Sequence, residues 1–231
     1  MSTVGVARKD EKRCERKFVV SSHEPFSVEM LIKTHPVAFR EIYPPRHVNN
    51  LYLDSHDLRN YSDNVNGVAN RRKVRVRWYG EPAGVVRNAK LEFKLKRGVA
   101  GWKRTCAMHP FRFAEGDEVP CVFDELLGAA PSEAVAEVFR GSALTLFNSY
   151  NRQYFLSFDG KYRLTLDTEL RYCPLRVHRS IGPWKYRTLG SCVVEFKYDV
   201  SDDVDADRIS SLFPFLISRN SKYVNGVELG F

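Results

Sequence analysis

The sequence predicts a mainly β protein of the α+β class, with antiparallel strands and a few peripheral helices. Apolar and polar residues alternate in short segments along most of the chain, and turn residues separate these segments. The chain has 231 residues, 43% of them hydrophobic, which is enough for a buried core. Because no linker-like composition divides it, we expect one domain over residues 13–231, preceded by a disordered segment, 1–12.

Eight segments have the alternation expected of strands. In chain order they cover residues 15–20, 48–55, 73–80, 89–98, 101–108, 151–158, 162–170 and 191–199. The sequence RGVAG connects the fourth segment to the fifth, and FDGK, with Asp-Gly at its centre, connects the sixth to the seventh. These connections predict hairpins in an antiparallel sheet, sandwich or barrel.

Helices are predicted in fewer places. Residues 25–35, 132–139 and 205–213 each follow or begin with a proline or an acidic cap, and each stops near a glycine or proline. Residues 57–67 predict a short turn of helix.

Most predicted strands carry charge on one face and apolar residues on the other. In RRKVRVRWYG, residues 71–80, Lys73, Arg75 and Arg77 share a face, while Val74 and Val76 lie opposite. In a sandwich such charged faces would be solvated, whereas in a closed barrel they would line a bore, and periodicity alone does not separate the two. The recurring mixture of arginine and lysine with an isolated glutamate favours a bore that binds a polyanion.

The net charge and the missing motifs restrict the function further. A formal charge of +8 and a pI near 9.3 indicate a polyanionic partner: nucleic acid, an anionic membrane or a phosphorylated small molecule. The sequence has no phosphate-binding glycine loop, no dinucleotide fingerprint, no HxxxH spacing and no recognised nucleic-acid motif. The scattered cysteines, with no secretory signal and no membrane-span-length apolar window, favour a reducing, cytoplasmic location.

Eight stretches then occur in a distinctive order. They are ERKF, NNLYLDSHDLRNY, KVRVRWYG, LEFKLKRG, NRQYF, YRLTLD, VEFKY and SRNSKYVNG. In order and approximate spacing they resemble the VTC domain, the polyphosphate-polymerase module of the vacuolar transporter chaperone complex and a branch of the triphosphate tunnel metalloenzymes. The resemblance runs from about Arg13 to the last residue. It implies an antiparallel eight-stranded closed β-barrel, the triphosphate tunnel, with peripheral helices.

The resemblance also implies a function and a set of site residues. The activity would be transfer of the terminal phosphoryl group of ATP to a growing inorganic polyphosphate chain, with Mn²⁺ or Mg²⁺ held by Glu195. Phosphate-binding roles fall on Lys17, Arg75, Arg77, Lys94, Lys103, Tyr150, Arg152, Arg163, Ser221 and Lys222. Catalytic roles fall on Lys222, Arg75 and Arg77, and Arg104 is an alternative to Lys103.

One departure from the wider superfamily bears on the chemistry. Its Glu-x-Glu-x-Lys pattern reads Arg13, Glu15 and Lys17 here, so one carboxylate is lost, which favours the polymerase branch over a two-metal triphosphatase or cyclase. A metal-dependent triphosphatase and a non-catalytic polyphosphate or nucleotide binder stay open as alternatives. The chain also lacks the membrane parts of the eukaryotic complex, so a peripheral location through a separate membrane partner is a further open alternative.

Overall fold

The computed structural model describes residues 13–21, 23–97, 100–175, 181 and 191–230. The predicted N-terminal segment 1–12 and the centre of the RGVAG connection lie outside the described residues.

Strands make up most of the described chain. In order they are β1 (Arg13–Val20), β2 (Arg40–Asp54), β3 (Asn70–Tyr79), β4 (Gly84–Val86), β5 (Lys90–Arg97), β6 (Ala100–Ala107), β7 (Phe111–Phe113), β8 (Ala143–Leu156), β9 (Arg163–Pro174) and β10 (Cys192–Asp199). β4 pairs with β7, and the other eight form one antiparallel sheet. These eight are the predicted strands, which confirms the predicted mainly β, antiparallel class.

Six helices accompany the sheets. They are α1 (Pro25–Lys33), α2 (Arg59–Val65), α3 (Val119–Gly128), α4 (Glu133–Arg140), α5 (Asp203–Ser211) and α6 (Lys222–Glu228), with a 3-10 turn at Val200–Asp202. The sequence predicted α1, α2, α4 and α5 but neither α3 nor α6.

The main sheet is open, so the prediction of a closed barrel is wrong. The strand order is β1-β10-β9-β8-β2-β3-β5-β6, and no ladder joins β1 to β6 within the described residues. The outer edge of β1 is covered instead by residues 217 and 218. The Ser218 N–H donates to the Lys17 carbonyl at 2.8 Å, and Phe18 forms an isolated bridge with Ile217. This later segment thus occupies the edge at which a closing strand would pair.

The open sheet nevertheless curls until its two ends meet through side chains. In a flat sheet β1 and β5 would lie about 29 Å apart, since six strand spacings of roughly 4.8 Å separate them. Yet Lys94 Nζ on β5 lies 3.5 Å from Glu15 Oε2 on β1. Beside them, Lys73 Nζ on β3 donates to Ser221 Oγ at 2.8 Å. The inner face of the sheet therefore surrounds a common space.

The apolar face of the sheet points outward, beneath the helices. One core cluster packs Val74, Val76 and Trp78 of β3 with Leu126 of α3 and Phe139 of α4. A second packs Phe18, Leu164 and Phe196 of the sheet with Ile32 of α1 and Ile209 of α5. With their apolar side covered, the strands turn their charged side inward, as a bore requires and a sandwich does not. Part of the inner face is apolar and packs with Tyr223 and Val227 of α6.

Candidate anion-binding site

The strand register brings charges from seven strands onto the inner face. Residues directly opposite each other on paired strands point to the same side of the sheet. The inner residues include Glu15 and Lys17 on β1, Glu195 and Lys197 on β10, Arg163 and Asp167 on β9, Arg152 on β8, Lys73, Arg75 and Arg77 on β3, Glu92 and Lys94 on β5, and Lys103 on β6. In this set the cations outnumber the carboxylates by more than two to one, so an anion would be attracted into the space.

Glu92 organises one group of these cations. Its Oε2 lies 2.7 Å from Arg75 Nη2 and 3.9 Å from Arg77 Nη1, and its Oε1 lies 2.5 Å from Lys103 Nζ. Burial alone would raise the pKa of Glu92, but the adjoining cations lower it to about 2. A charged Glu92 thus holds Arg75, Arg77 and Lys103 together. Arg104 lies opposite Phe93, on the apolar face, which excludes it as the alternative to Lys103.

Asp167 and Glu195 organise a second group. Asp167 is fully buried and accepts hydrogen bonds from Arg152 Nε at 2.5 Å and Arg152 Nη2 at 2.6 Å, while Lys222 Nζ lies 2.5 Å from its Oδ2. Glu195 Oε2 lies 2.8 Å from Lys197 Nζ and 3.4 Å from Arg152 Nη2. Both carboxyls are buried, which would raise their pKa values, but the surrounding cations lower both.

Lys17 and Lys222 complete this second group. Lys17 Nζ and Lys222 Nζ each lie 3.6 Å from Glu195 Oε1. Burial would lower the pKa of Lys222, but Asp167 and Glu195 raise it, so its ammonium stays protonated. The second group therefore joins β1, β8, β9, β10 and the start of α6.

Tyr150 lies between the two groups. Its buried hydroxyl accepts a hydrogen bond from Arg77 Nη2 at 3.0 Å. The Arg152 guanidinium carbon and Lys222 Nζ lie 5.2 Å and 4.9 Å from its ring centroid. Burial raises the pKa of Tyr150, but Arg152 and Arg77 outweigh it and lower the value. Tyr150 thus connects the arginines of the two groups through one ring.

The first residues of α6 bring Ser221 and Lys222 to the sheet. Ser221 is the N-cap of α6, where its hydroxyl accepts from the Val224 N–H at 3.3 Å and from Lys73 Nζ. Lys222 follows and enters the second group. The two residues therefore face different strands of the inner surface.

The predicted site residues thus come together with one exception. Lys17, Arg75, Arg77, Lys94, Lys103, Tyr150, Arg152, Glu195, Ser221 and Lys222 all contact another inner residue. Arg163 lies opposite Lys197 on the same face but is exposed, and it makes no ion pair or hydrogen bond with a described side chain. It occupies the rim of the space and not its interior.

Several residues of the site were not singled out from the sequence. The alternation places Glu92, Asp167, Lys73 and Lys197 on the charged faces of predicted strands, but the family resemblance assigned them no role. Two further buried groups lack a hydrogen-bond partner among the described residues, Thr165 Oγ1 and Asn148 Nδ2. Thr165 lies directly opposite Glu195, which puts a free hydroxyl beside the charged groups.

The donor set fits a divalent metal only together with phosphate oxygens. The described residues contain no group of three His, Cys, Asp or Glu side chains that could hold a metal ion. Two carboxylates do lie near each other, since Glu15 and Glu195 both contact Lys17 Nζ, at 3.0 Å and 3.6 Å. One or two carboxylates plus substrate phosphates is the usual ligand set of Mg²⁺.

Comparisons with known proteins agree with this geometry. A family model described as the VTC domain matches residues 12–231. No curated protein matches the sequence.

Within the described part of the chain, no helix has the length and apolar character needed to cross a membrane.

Two solved structures are similar to this chain at low sequence identity. An X-ray structure of a "putative adenylate cyclase" from Vibrio parahaemolyticus is 13% identical with a TM-score of 0.52, and the match covers 94% of this chain and 99% of that one. The protein PH1819 from Pyrococcus horikoshii OT3 is 15% identical with a TM-score of 0.48, over 94% and 96% of the two chains. The likeness to the Vibrio protein shows a common fold.

Proposed function

Because the chain belongs to the VTC domain family, with which residues 12–231 match, we propose that it is a polyphosphate polymerase. The family indicates a polyphosphate- or nucleotide-related function, and synthesis of the polymer is the specific step that we add. In this proposal the protein transfers the terminal phosphoryl group of ATP to a growing inorganic polyphosphate chain on the inner face of the curled sheet.

One observation carries the proposal: two connected cation groups share the inner face of the curled sheet. Arg75, Arg77 and Lys103 meet at Glu92, while Arg152 and Lys222 meet at Asp167. A guanidinium matches phosphate oxygens in a two-pronged geometry, so cations at intervals suit a chain of phosphates better than a single compact anion.

The transfer itself needs charge stabilisation more than a strong base. The terminal phosphate oxygen of the polymer is already anionic near neutral pH, so it can attack the γ-phosphorus of ATP without losing a proton. The P–O bond to the β-phosphate breaks, and ADP leaves with the electron pair. The obstacle is repulsion between two anions, which preorganised cations reduce.

Individual residues would divide this work. Arg75 and Arg77 would hold the triphosphate, and Arg152 would hold the acceptor chain or the transferred group. Lys222, protonated and held by Asp167 and Glu195, would stabilise charge on the transferring phosphoryl group. Glu195 and Glu15 are the residues that would hold Mn²⁺ or Mg²⁺, which when bound would neutralise charge on the phosphate oxygens.

Product analysis tests the proposal directly. The purified protein would be incubated with ATP and Mn²⁺, and the products separated on a gel that resolves polyphosphate length. Long polymer is the expected product. Free phosphate without polymer would instead indicate a hydrolase, and unchanged ATP with retained binding would indicate a non-catalytic binder.

A pair of variants connects the product to the site. Arg77→Met removes a buried guanidinium from the inner face and should abolish polymer formation. The matched control is Arg208→Met on α5, whose side chain is 80% exposed and which should leave the product unchanged. Equal activity of both variants would show that the reaction does not take place on the inner face.

A further inference from the structure

Three tyrosines and an arginine lie together at one rim of the inner face. The Arg46 guanidinium carbon lies 5.1 Å from the ring centroid of Tyr43, 5.5 Å from that of Tyr154 and 5.6 Å from that of Tyr79. Tyr43 and Tyr154 meet edge to face with their centroids 5.8 Å apart. We call these four residues the rim cluster. None of them belongs to the set derived from the family resemblance.

A bulge in β2 brings the cluster to the inner side. Tyr43 and Arg46 are three residues apart, so a regular strand would point them to opposite faces. The register with β8 shifts between them: Tyr43 lies opposite Tyr154, and Arg46 lies opposite Arg152. The residues in between are Pro44 and Pro45. Proline cannot donate to the ladder, and within sheets it concentrates at edges and bulges, which re-aim side chains.

The rim cluster continues the row of buried cations. Arg46 lies directly opposite Arg152. Tyr154 follows Arg152 by two residues on β8, and Tyr79 follows Arg77 by two residues on β3, a distance of about 7 Å along a strand. This separation is comparable to the space that a ribose and one phosphate occupy. A ligand whose phosphates lie on Arg77 and Arg152 would therefore extend to the rim.

The cluster has unused binding capacity. Arg46 is exposed and makes no ion pair or hydrogen bond with any described residue, whereas Arg75, Arg77 and Arg152 each contact a carboxylate. Tyr43 and Tyr79 are 51% and 48% exposed. Half-exposed tyrosine rings beside a guanidinium that has no carboxylate partner among the described residues suit a ligand that combines a flat ring with phosphate.

We propose that the rim cluster binds the base of a nucleoside triphosphate whose phosphates lie on the inner cations, an inference that rests on the proposed function. Bases stack on tyrosine rings largely regardless of sequence, and arginine adds a cation–π contribution. Inorganic polyphosphate has no ring to stack. The cluster would therefore distinguish the nucleotide donor from the polymer, although both use the same cations.

The test compares two ligands that differ in the nucleoside. Dissociation constants for ATP and for inorganic triphosphate would be measured by titration calorimetry with the wild type, Tyr79→Leu and Tyr43→Leu. We expect ATP to bind about tenfold more weakly to each variant, while binding of inorganic triphosphate stays unchanged. The control is Phe158→Leu, an exposed aromatic residue in the β8–β9 turn that should affect neither ligand.

The other outcomes are equally decisive. An equal loss of affinity for both ligands would mean that the tyrosines support the phosphate site. Unchanged ATP affinity would mean that they do not contact the bound nucleotide. Either result overturns the inference. If the wild type binds both ligands and the tyrosine variants leave the ratio of the two affinities unchanged, the inference fails while the proposed function stands. If it binds neither, the two fail together.

Discussion

Lys73 shows how close together the cations of the inner face lie. Burial, together with the neighbouring cations Lys17, Lys94, Arg75 and Arg71, lowers the pKa of Lys73 to about 7. Between pH 7 and the usual lysine pKa near 10.5, the unfolded chain binds more protons at this residue than the folded protein does. The contribution of Lys73 to stability is therefore unfavourable at pH 7 and improves as the pH rises.

Anion binding should show the opposite dependence on pH. A bound polyanion favours the ammonium form of Lys73, so above pH 7 binding takes up a proton and affinity falls as pH rises. We expect the affinity for inorganic triphosphate to fall between pH 7 and 9 by an amount approaching tenfold per unit. In Lys73→Arg, whose guanidinium stays charged, the fall should be much smaller. Calorimetric titrations at pH 7, 8 and 9 measure both; identical slopes would contradict the assignment, because ionisation of the ligand is common to the two proteins.

Replacing Arg75 should mainly weaken ATP binding, whereas replacing Lys222 should mainly slow turnover. Arg75→Met removes a charge-assisted contact present in ground and transition states alike, so ATP affinity should fall by about 1.5–3 kcal/mol. Lys222→Met should leave affinity nearly intact, and losing about 3 kcal/mol of transition-state stabilisation would slow saturated turnover about a hundredfold. Lys33→Met on α1 is the control. Normal saturated turnover with weakened affinity in Lys222→Met would make Lys222 a phosphate-binding residue only.

The alternation of polar and apolar residues predicts which side chains share a face, but not their partners. It assigned Arg75 and Arg77 to one side of β3, and both lie there. It could not assign Glu92 to them, because the cross-strand register that sets Arg75 opposite Glu92 is a tertiary property. Arg163 shows the converse limit, since the correct face still leaves it exposed at the rim.

At the scale of elements, α6 depends on packing more than on its own sequence. It is seven residues long and contains Asn225 and Gly226, which are poor helix formers. Asp54, at the end of β2, accepts a hydrogen bond from the Tyr223 hydroxyl, and it accepts two more from the N–H groups of Asn60 at 2.8 Å and Tyr61 at 2.9 Å. One carboxylate thus anchors α2 and α6 to the sheet. No local pattern indicates such an anchor, which explains why the sequence did not predict α6.

Gly226 is where α6 comes closest to the sheet. A Cβ at this position would lie 2.7 Å from Leu146 Cδ1 and 2.8 Å from Tyr172 Cδ1, closer than real Cβ contacts. We expect Gly226→Ala to cost about 1–3 kcal/mol, roughly 2–12 °C in Tm, and to lower turnover by displacing Lys222. Gly128→Ala in α3, where a Cβ would meet nothing within 4 Å, should keep or raise the Tm. Thermal unfolding of both variants tests this, and a stabilised Gly226→Ala would show that α6 is not closely packed.

The bulge in β2 was likewise outside what periodicity predicts. Pro44 and Pro45 precede the predicted strand 48–55, so the observed β2 begins earlier than its alternation indicated. Prolines usually argue against a strand, and here they are accommodated by the register shift between Tyr43 and Arg46. The turn residues and alternating segments predicted the number of main-sheet strands, whereas the bulge in β2 was seen only in the structure.

For the whole molecule, an excess of cations around one space predicts a strong response to polyanions. Binding at a ligand concentration one hundred times Kd stabilises a folded protein by about 2.7 kcal/mol, or roughly 5–11 °C in Tm for a chain of this size. We expect this rise with inorganic triphosphate and a smaller one in Arg77→Met. Thermal unfolding in sodium sulfate at the same ionic strength is the control. An equal rise in sulfate would indicate general screening and not an organised site.

The open sheet is the feature of the whole molecule that the sequence did not predict. The eight strands of the main sheet were predicted correctly. Whether its two edge strands, β1 and β6, pair with each other depends on which other segments reach those edges. Residues 217 and 218 cover β1, and contacts such as Glu15 with Lys94 hold the ends together through side chains. These are long-range contacts between segments that no local window relates.

The pairing of β1 with β10 also sets the order in which the protein can assemble during its synthesis. Lys17 lies opposite Glu195, so at about 5–20 residues per second β1 waits roughly 10–40 s for its partner to be translated. During that interval Phe18 has no partner strand and Lys17 has no carboxylate from β10. A nascent chain that stops before residue 222 can have made β2 through β8 and still lacks the second cation group. The full set of inner cations should therefore assemble late on the ribosome, because the group at Glu92 can form once residue 103 is made, whereas the group at Asp167 and Glu195 needs residue 222.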